Sequence, residues 1–578
     1  MAALTFTRLK KLAREDTASL PGYRLALLGD CATQHLATAL RGQGVAVGLG
    51  LTVFDADYNQ VDAQTMDTGS ELYAFRPNAV LVQLCTEKLW QSFRETPLED
   101  RPTFADSTMG RIKATWQRIG AGCGATILQC NFPLMDDGVF GQFGNKTADS
   151  FLFQQRRLNY LLMEECQQVK NAYLIDLDGL QSKMGREAFS DPKLYCIAKM
   201  PLSLEALPHA AKAVVDTIQA LRGAVKKCFI LDLDNTLWGG VIGDDGLSGI
   251  QIGELGAGQA FSRLQAWLKE LKNRGILLAV CSKNNEETAK EPFEKHPEMV
   301  LRLEDFSVFV ANWEDKASNI RYIQKTLNIG MDSLVFLDDN PFERNLVRSL
   351  LPEVEVPELP EDPAMYLDYL QSLNLTETAS YSREDGNRTR QYRESARRAE
   401  FEAAFQSYDD YLRGLEMKAV VAPFDPFHYP RIAQLTQRSN QFNLRTVRCT
   451  EGEVERLAAD DNHICLYFTL RDKFGDHGLI SVVVLDKDGD TLFVSQWLMS
   501  CRVLKRGMEE FIADTLLRAA REAGFAKVEG EYIPTAKNAM VRDLYEKMGF
   551  TPLGDNRFEA RVDSYTPHKT FIEEEKQP

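Results

Sequence analysis

The 578-residue sequence is informative first for what it lacks. No apolar run approaches the roughly 18 residues needed to cross a bilayer, which excludes an expected membrane span. The 11 cysteines include no CxxC pair and form no dense framework, and the opening MAALTFTRLKKLA has no secretory pattern. They therefore read as reduced thiols of a cytoplasmic protein. There is no excess of positive charge. The formal net charge of −16 argues against a general binder of nucleic acid or anionic membrane, although local lysines still allow a phosphorylated substrate. Internal repeats and low-complexity tracts are also missing. What remains, 44% hydrophobic and 26% charged, is the composition of a soluble globular protein, long enough for about three or four domains at about 150 residues each.

The densest chemistry lies in KCFILDLDNTLWGGVIGDDG, residues 227 to 246, where an apolar run stops at Asp232 and Asp234. Two carboxylates would be costly inside a strand, so they belong where the strand ends and something positive binds. If Phe229 to Leu231 form a parallel strand, both acids project into the crevice where open α/β sheets hold ligands. One such acid can serve as an ionised nucleophile beside a cation, and the other can carry a proton when its pKa is raised.

Asp-x-Asp-x-Thr after such a strand resembles the first motif of the haloacid dehalogenase (HAD) superfamily of phosphoryl-transfer enzymes. The resemblance implies that Asp232 attacks phosphorus and that Asp234 shuttles a proton to the leaving oxygen. LLAVCSKNN resembles the second motif, with Ser282 and Lys283 as phosphate-binding residues, and ANWEDKASNI supplies Lys316 at a helix start as the motif lysine. SLVFLDDNPFER repeats the opening pattern and ends in Asp338 and Asp339. Mg²⁺ prefers oxygen ligands, which makes Asp232, Asp338 and Asp234, the last through its backbone carbonyl, the expected metal set, with Asp339 as a further candidate. The HAD-like core is expected over 223–375. The Gly-rich WGGVIGDDGLSGIQIG reads as a β-hairpin flap, and there is no room for a large cap, so the site should be open to a bulky partner.

Residues 1–222 read as a separate α/β unit, with strands at YRLALLGD, Ala79 to Leu84 and Thr126 to Cys130. Gly29-Asp30-Cys31 resembles the Gly-Asp-Ser block of SGNH hydrolases with cysteine for serine, and Asn131 occupies a place like that family's oxyanion-hole asparagine. The family's usual histidine is missing, because Met200 precedes Pro201. A cysteine at a helix start can be activated without that base, so Cys31 can be read as an acyl-bearing nucleophile, or as a small buried residue of a docking domain. His35, one turn further, is either a base or structural.

A charged linker, 376–416, is expected to carry a helix with Phe401, Phe405, Tyr408 and Leu412 on one face. Residues 417–578 follow with strands around CLYFTLRDKFG, GLISVVVLDKD and TLFVSQWLMS and a helix from about Gly507. This order, with Tyr545 to Phe550, resembles the GCN5-related N-acetyltransferase (GNAT) fold. That fold holds the CoA pyrophosphate on a Gly-rich turn at a helix N-terminus. Here the run is Arg502 to Gly507, with Lys505 where the first glycine belongs. Lys505 and Arg506 read as contacts to phosphopantetheine or an acidic carrier, or as solvated surface, and Cys501 as a rival acyl site or a core residue.

The order SGNH-like, HAD, GNAT-like, with RSNQFN (438–443), FGDHG (474–478), SCRV (500–503) and IPTAKN (533–538), resembles the FkbH-like family of polyketide biosynthesis. The resemblance implies transfer of the glyceryl group of 1,3-bisphosphoglycerate to the phosphopantetheine thiol of an acyl carrier protein, with loss of phosphate and with Mg²⁺ as cofactor. Two other functions stay open: a HAD phosphatase fused to an acyl-CoA-dependent acyltransferase, and a plain phosphatase with carrier-protein docking domains.

Overall fold

The computed structural model describes residues 4–381, 386, 388–391 and 407–575. The chain divides into two compact units, 2–218 and 219–578. The first division therefore falls a few residues before the expected 222, and the HAD-like and GNAT-like parts lie together in the second unit. No helix among the described residues is long and apolar enough to cross a membrane.

The N-terminal unit is built on five parallel strands, β1 (Gly22–Gly29), β2 (Gly50–Asp55), β3 (Ala79–Gln83), β4 (Thr126–Cys130) and β5 (Ala172–Ile175), in the order β2-β1-β3-β4-β5. Helices must cross between parallel neighbours, so the central strands are covered on both faces. Every residue of β3 and β4 is buried, which explains why they read as continuous apolar runs.

The second unit opens with a four-stranded parallel sheet, β6 (Cys228–Leu231), β7 (Leu277–Ser282), β8 (Val308–Ala311) and β9 (Leu334–Leu337), ordered β8-β7-β6-β9. The chain steps outward from β6 to β8 and then returns to the other side of β6. That reversal puts the crevice at the carboxyl ends of β6 and β9. The segment after Asp234 is not the expected β-hairpin. It forms a short kinked helix, Ile242–Gly249, closed by a single antiparallel bridge between Gly239 and Gln251. Asp245 causes this by accepting a 2.7 Å hydrogen bond from the Val241 N–H, which starts a turn where a hairpin needs extended backbone.

The C-terminal part is a mixed eight-stranded sheet: β10 (Met417–Pro423), β11 (His463–Asp472), β12 (Gly475–Asp488), β13 (Thr491–Met499), β14 (Lys527–Glu531), β15 (Thr551–Gly554), β16 (Arg557–Arg561) and β17 (Ile572–Glu574). Its order is β15-β16-β14-β13-β12-β11-β10-β17, a GNAT-like α+β arrangement in which the parallel neighbours β13 and β14 are joined through the helix Met508–Glu522. Those two strands pair only from Thr491 to Val494 and then part. The gap is filled by the RSNQFN segment. Met499 N–H donates to Phe442 O (3.1 Å), Leu444 N–H to Trp497 O (3.2 Å) and Ile533 N–H to Leu444 O (2.9 Å), while the Asn538 side chain donates to Asn443 O (2.9 Å). Of the linker, Phe401 and Phe405 lie outside the described residues. In the helix Tyr408–Gly414 it is Tyr411 and Leu412 that are buried, with Tyr408 exposed.

Gly223 sits at the start of the second unit with φ +76°, and a Cβ there would lie 1.5 Å from Gln437 O. Backbone strain and a clash with main chain act together, so Gly223→Ala should lower unfolding stability by on the order of 3 kcal/mol, read from denaturant midpoints at unchanged slope.

Candidate active site

Three strand ends and one helix start converge on one point of the parallel sheet. Asp232 follows β6, Ser282 ends β7, Asp338 follows β9, and Lys316 opens the helix Lys316–Leu327, whose N-cap Asp315 accepts from the Ser318 N–H. The Lys316 ammonium lies 2.6 Å from Asp232 Oδ1 and 3.3 Å from Asp338 Oδ2, and donates to Cys281 O at 2.7 Å. It is 1% exposed and Asp338 is fully buried. Burial alone would strip a proton from this lysine, but the charges of Asp232 and Asp338 outweigh it and hold its pKa above the ordinary range. Burial and the neighbouring Asp232 push Asp338 up to about 7, and the same causes raise Asp339.

Asp232, Asp338 and Asp339 place carboxylate oxygens within 4.8 Å of one another. Asp232 Oδ1 and Asp338 Oδ2 are buried, with Lys316 as the cation beside both. Hard oxygen donors carrying more negative charge than one lysine cancels fit a divalent cation. Asp339, a further candidate from sequence, thus belongs to the trio. The Asp234 carboxylate does not: its Oδ1 accepts from Trp238 Nε1 and Ile242 N–H, both at 3.0 Å, and its Oδ2 from Asn284 Nδ2 at 3.0 Å. Burial nevertheless raises its pKa, the direction a proton donor needs.

Sequence reasoning did not assign Asn284, Trp238 or Thr236 to the site. Thr236 accepts from the Asp339 N–H at 3.1 Å and so ties the first motif to the last. The spacing of Trp238 four residues after Asp234, and the asparagines after Lys283, were the available signals. Ser282 is buried at the site. Lys283 is ion-paired with Glu343 at 2.6 Å, a partner supplied by the helix Pro341–Leu350 that no local spacing reveals.

In the N-terminal unit the expected nucleophile is unfavourably placed. Cys31 is 1% exposed, and the Cys85 side chain together with burial raises its pKa well above the usual thiol value, so the thiolate is suppressed rather than promoted. The helix Gln34–Ala46 begins three residues later, too far along the chain for Cys31 to cap it. His35 is exposed and stacks on Phe6, with ring centroids 5.4 Å apart. Asn131 spends its amide inside the fold: Nδ2 donates to Asp176 Oδ1 at 2.7 Å and Oδ1 accepts from the Asp178 N–H at 3.0 Å, which pins the turn after β5. Asp30 accepts from the Cys85 N–H at 2.8 Å and is pushed by burial to about 6.

The GNAT-like turn is also filled from within. Lys505 takes the left-handed conformation (φ +61°) in place of a glycine, and its N–H donates to Glu509 Oε1 at 3.1 Å, so a carboxylate already stands at the helix start. Arg506 is buried against Asp472 (3.3 Å) and His477 Nε2 (3.1 Å), Arg502 reaches His477 O, and neither Arg506 nor His477 is surface. Cys501 is not a core residue. It lies just past β13, half-exposed, with its thiol donating to Asn328 O at 3.3 Å.

The fold and the Asp232 centre define a HAD-type phosphatase-domain enzyme. A family model described as the FkbH N-terminal domain matches residues 24–219. The chain is 49% identical to the crystallised N-terminal part of BF1531 from Bacteroides fragilis, which contains a phosphatase domain complexed with Mg, covering 65% of this chain and 100% of that one at a TM-score of 0.63. The chain belongs to the FkbH-like family. Among solved structures it also matches the GNAT domain of PAT from S. lividans (20% identity, 24% of this chain and 89% of that one, TM-score 0.20) and the ribosomal-protein-S18-alanine N-acetyltransferase of Escherichia coli (14%, 25% and 94%, 0.20). No curated protein matches it.

Two measurements test these assignments. Lys316→Met leaves two buried carboxylates without their cation and should cost about 3–5 kcal/mol of unfolding stability, part of it regained on adding a divalent cation. Asp30 has a folded pKa of about 6 against an ordinary 3.8. Its ionisation therefore opposes folding above that range, and the penalty is absent below about pH 4. Asp30→Asn should be more stable than the parent at pH 8, by at most about 3 kcal/mol, with the difference shrinking from pH 6 to 4 and gone below.

Proposed function

We propose that the protein moves the glyceryl group of 1,3-bisphosphoglycerate to the phosphopantetheine thiol of an acyl carrier protein and removes the remaining phosphate at Asp232. The observation that carries this reading is the Asp232–Lys316–Asp338 centre at the strand ends, where the chain after Asp234 forms the short Ile242–Gly249 helix in place of a large inserted cap. A carrier-bound phosphate can enter such a site where a large cap would bar it. Membership in the FkbH-like family supports the same substrate class.

The steps follow from ordinary acyl and phosphoryl chemistry. The carrier thiolate attacks the carbonyl carbon of the acyl phosphate, a C–S bond forms, and inorganic phosphate leaves with the C–O electron pair. The remaining phosphomonoester then meets Asp232, whose carboxylate attacks phosphorus as Asp234 gives a proton to the departing glyceryl oxygen. Water hydrolyses the aspartyl phosphate and returns that proton to Asp234. Lys316 stands 2.6 Å from Asp232 as its countercharge, and Asn284 with Trp238 holds Asp234 in position. Mg²⁺ bound by Asp232, Asp338 and Asp339 would neutralise the phosphate oxygens. Glu509 at the turn and the segment 442–444 between β13 and β14 weigh against acyl-CoA as donor, and the buried Cys31 against an acyl intermediate there.

Intact mass spectrometry of a carrier protein incubated with enzyme, Mg²⁺ and 1,3-bisphosphoglycerate tests the reading. The parent enzyme should yield a glyceryl adduct. Asp232→Asn should yield the adduct one phosphate heavier, with phosphatase turnover down about 10³-fold or more. A carrier left unmodified by both overturns the proposal.

A further inference from the structure

Among the described residues, two groups of side chains bring metal-ligating atoms together. One is the Asp232 trio. The other lies in the N-terminal unit, where Asp30, Cys31 and Cys85 place a carboxylate oxygen and two sulfurs within 4.8 Å of one another. Topology puts them there. β1 and β3 are parallel neighbours with Gly29 opposite Gln83, so the residues leaving the two strands emerge side by side. The backbone then fixes them: Asp30 N–H donates to Gln83 O at 3.3 Å, Cys85 N–H to Asp30 Oδ1 at 2.8 Å, and Ala32 N–H to Lys199 O at 2.9 Å. Cys85 is the N-cap of the helix Thr86–Glu95, yet its side chain makes no capping bond and its sulfur meets Cys31 instead. Two cavities, of about 280 and 250 Å³, reach Cys85; the first is also lined by Asp30 and the second by Gln83. Gln83 Oε1 is buried and accepts no hydrogen bond.

We propose that Asp30, Cys31 and Cys85 bind one Zn²⁺, with its fourth position left to a water at the cavity wall. Ligands of a tetrahedral Zn²⁺, at ~2.3 Å for sulfur and ~2.0 Å for oxygen, stand roughly 3.5–3.8 Å apart, so these atoms need to close by roughly 1 Å. The ligand set chooses the metal. Two soft sulfurs with one carboxylate select Zn²⁺ over Mg²⁺, whereas the all-oxygen Asp232 centre has the opposite preference. Binding displaces both thiol protons, so two buried cysteines that serve poorly as nucleophiles serve well as a chelate. Two thiolates and a carboxylate against Zn²⁺ leave one net negative charge, and the Lys88 ammonium acts on Asp30 with the opposite sign. Three protein ligands with an open side are the arrangement of a zinc that holds water, and the unpartnered Gln83 acceptor suits a hydrogen bond from that water. The site rests on the N-terminal unit alone and on no part of the glyceryl reaction.

The test titrates full-length protein, reduced and stripped of metal by a chelator, with Co²⁺, which occupies zinc sites and reports bound thiolate through charge-transfer absorption. The parent should develop that absorption up to one equivalent, and one equivalent of Zn²⁺ should bleach it. Oxygen ligands give no such absorption, so Asp232→Asn should leave it unchanged. Cys85→Ser should abolish it, and Cys196→Ser, at an exposed cysteine, should not. Asp30→Asn covers the case in which Cys85→Ser fails to fold, because without metal it is expected to be more stable than the parent at pH 8. It should weaken Co²⁺ binding by more than the roughly tenfold that losing an outer hydrogen-bond partner costs. Zn²⁺ should also raise the denaturant midpoint of the parent further than that of Asp30→Asn. A parent without thiolate absorption, absorption that survives Cys85→Ser, or an affinity unchanged in Asp30→Asn overturns the site. None of these results depends on carrier loading, so this inference and the proposed function can fail separately.

Discussion

One buried ammonium sets the terms for the catalytic half of this protein. Lys316 can be almost fully enclosed because Asp232 and Asp338 face it, and they can be enclosed because it faces them. Removing the lysine leaves both carboxylates uncompensated in a low-dielectric site, a far larger cost than a surface ion pair is worth. The requirement extends to the backbone: β6, β9, the end of β7 and the start of a helix must meet within hydrogen-bonding reach of one nitrogen. Asp339 adds a further carboxylate, so the centre carries more negative charge than the lysine cancels. Burial first, and the neighbouring Asp232 charge second, raise the pKa values of Asp338 and Asp339, and a hard cation would offset the second cause.

The GNAT-like part uses its most distinctive residues for a different purpose. RSNQFN and IPTAKN meet across the gap where β13 and β14 part, with backbone bonds on both sides and the Asn538 amide on Asn443 O. FGDHG brings His477 to Asp472 at 3.0 Å, and Arg506 joins them. These motifs close the sheet and hold the turn after β13, so their specificity is architectural first.

How much of this was readable in the sequence depended on the range over which partners are chosen. Three of the four HAD motifs were legible because an apolar run ends in polar or charged residues, a pattern that marks a strand end without reference to any other segment. Lys316 was legible as a helix start, but its burial was not, since that needs two carboxylates from strands 84 residues before and 22 after it. The unread parts have the same origin. Cys31 was left open between an acyl-bearing thiol and a small buried residue because the turn around it is local, whereas Cys85, which raises its pKa, comes from the connection after β3. Asn131 and His35 were placed correctly along the chain but face Asp176 and Phe6, partners set by tertiary packing. The flap was mistaken for a hairpin because glycine frequency signals a turn without saying which side chain will cap it; Asp245 decided that.

A cavity of about 410 Å³, where the residues preceding β6, β7 and β9 meet the end of β13, marks the limit of motif reading most clearly. Its lysines and arginines come from the lead-in to β6, the linker, the helix Tyr429–Arg438, the turn after β13 and the loop after β14, so no single motif announces them and the overall charge points the other way. Charge that acts at a site is a sum over three-dimensional neighbours, and within a Debye length of about 8 Å the distant acids that make the chain anionic contribute little. Strand β6 spans the distance between this cavity and the Asp232 centre: its carboxyl end leads into Asp232, its amino end follows Lys227, and the same sheet holds both.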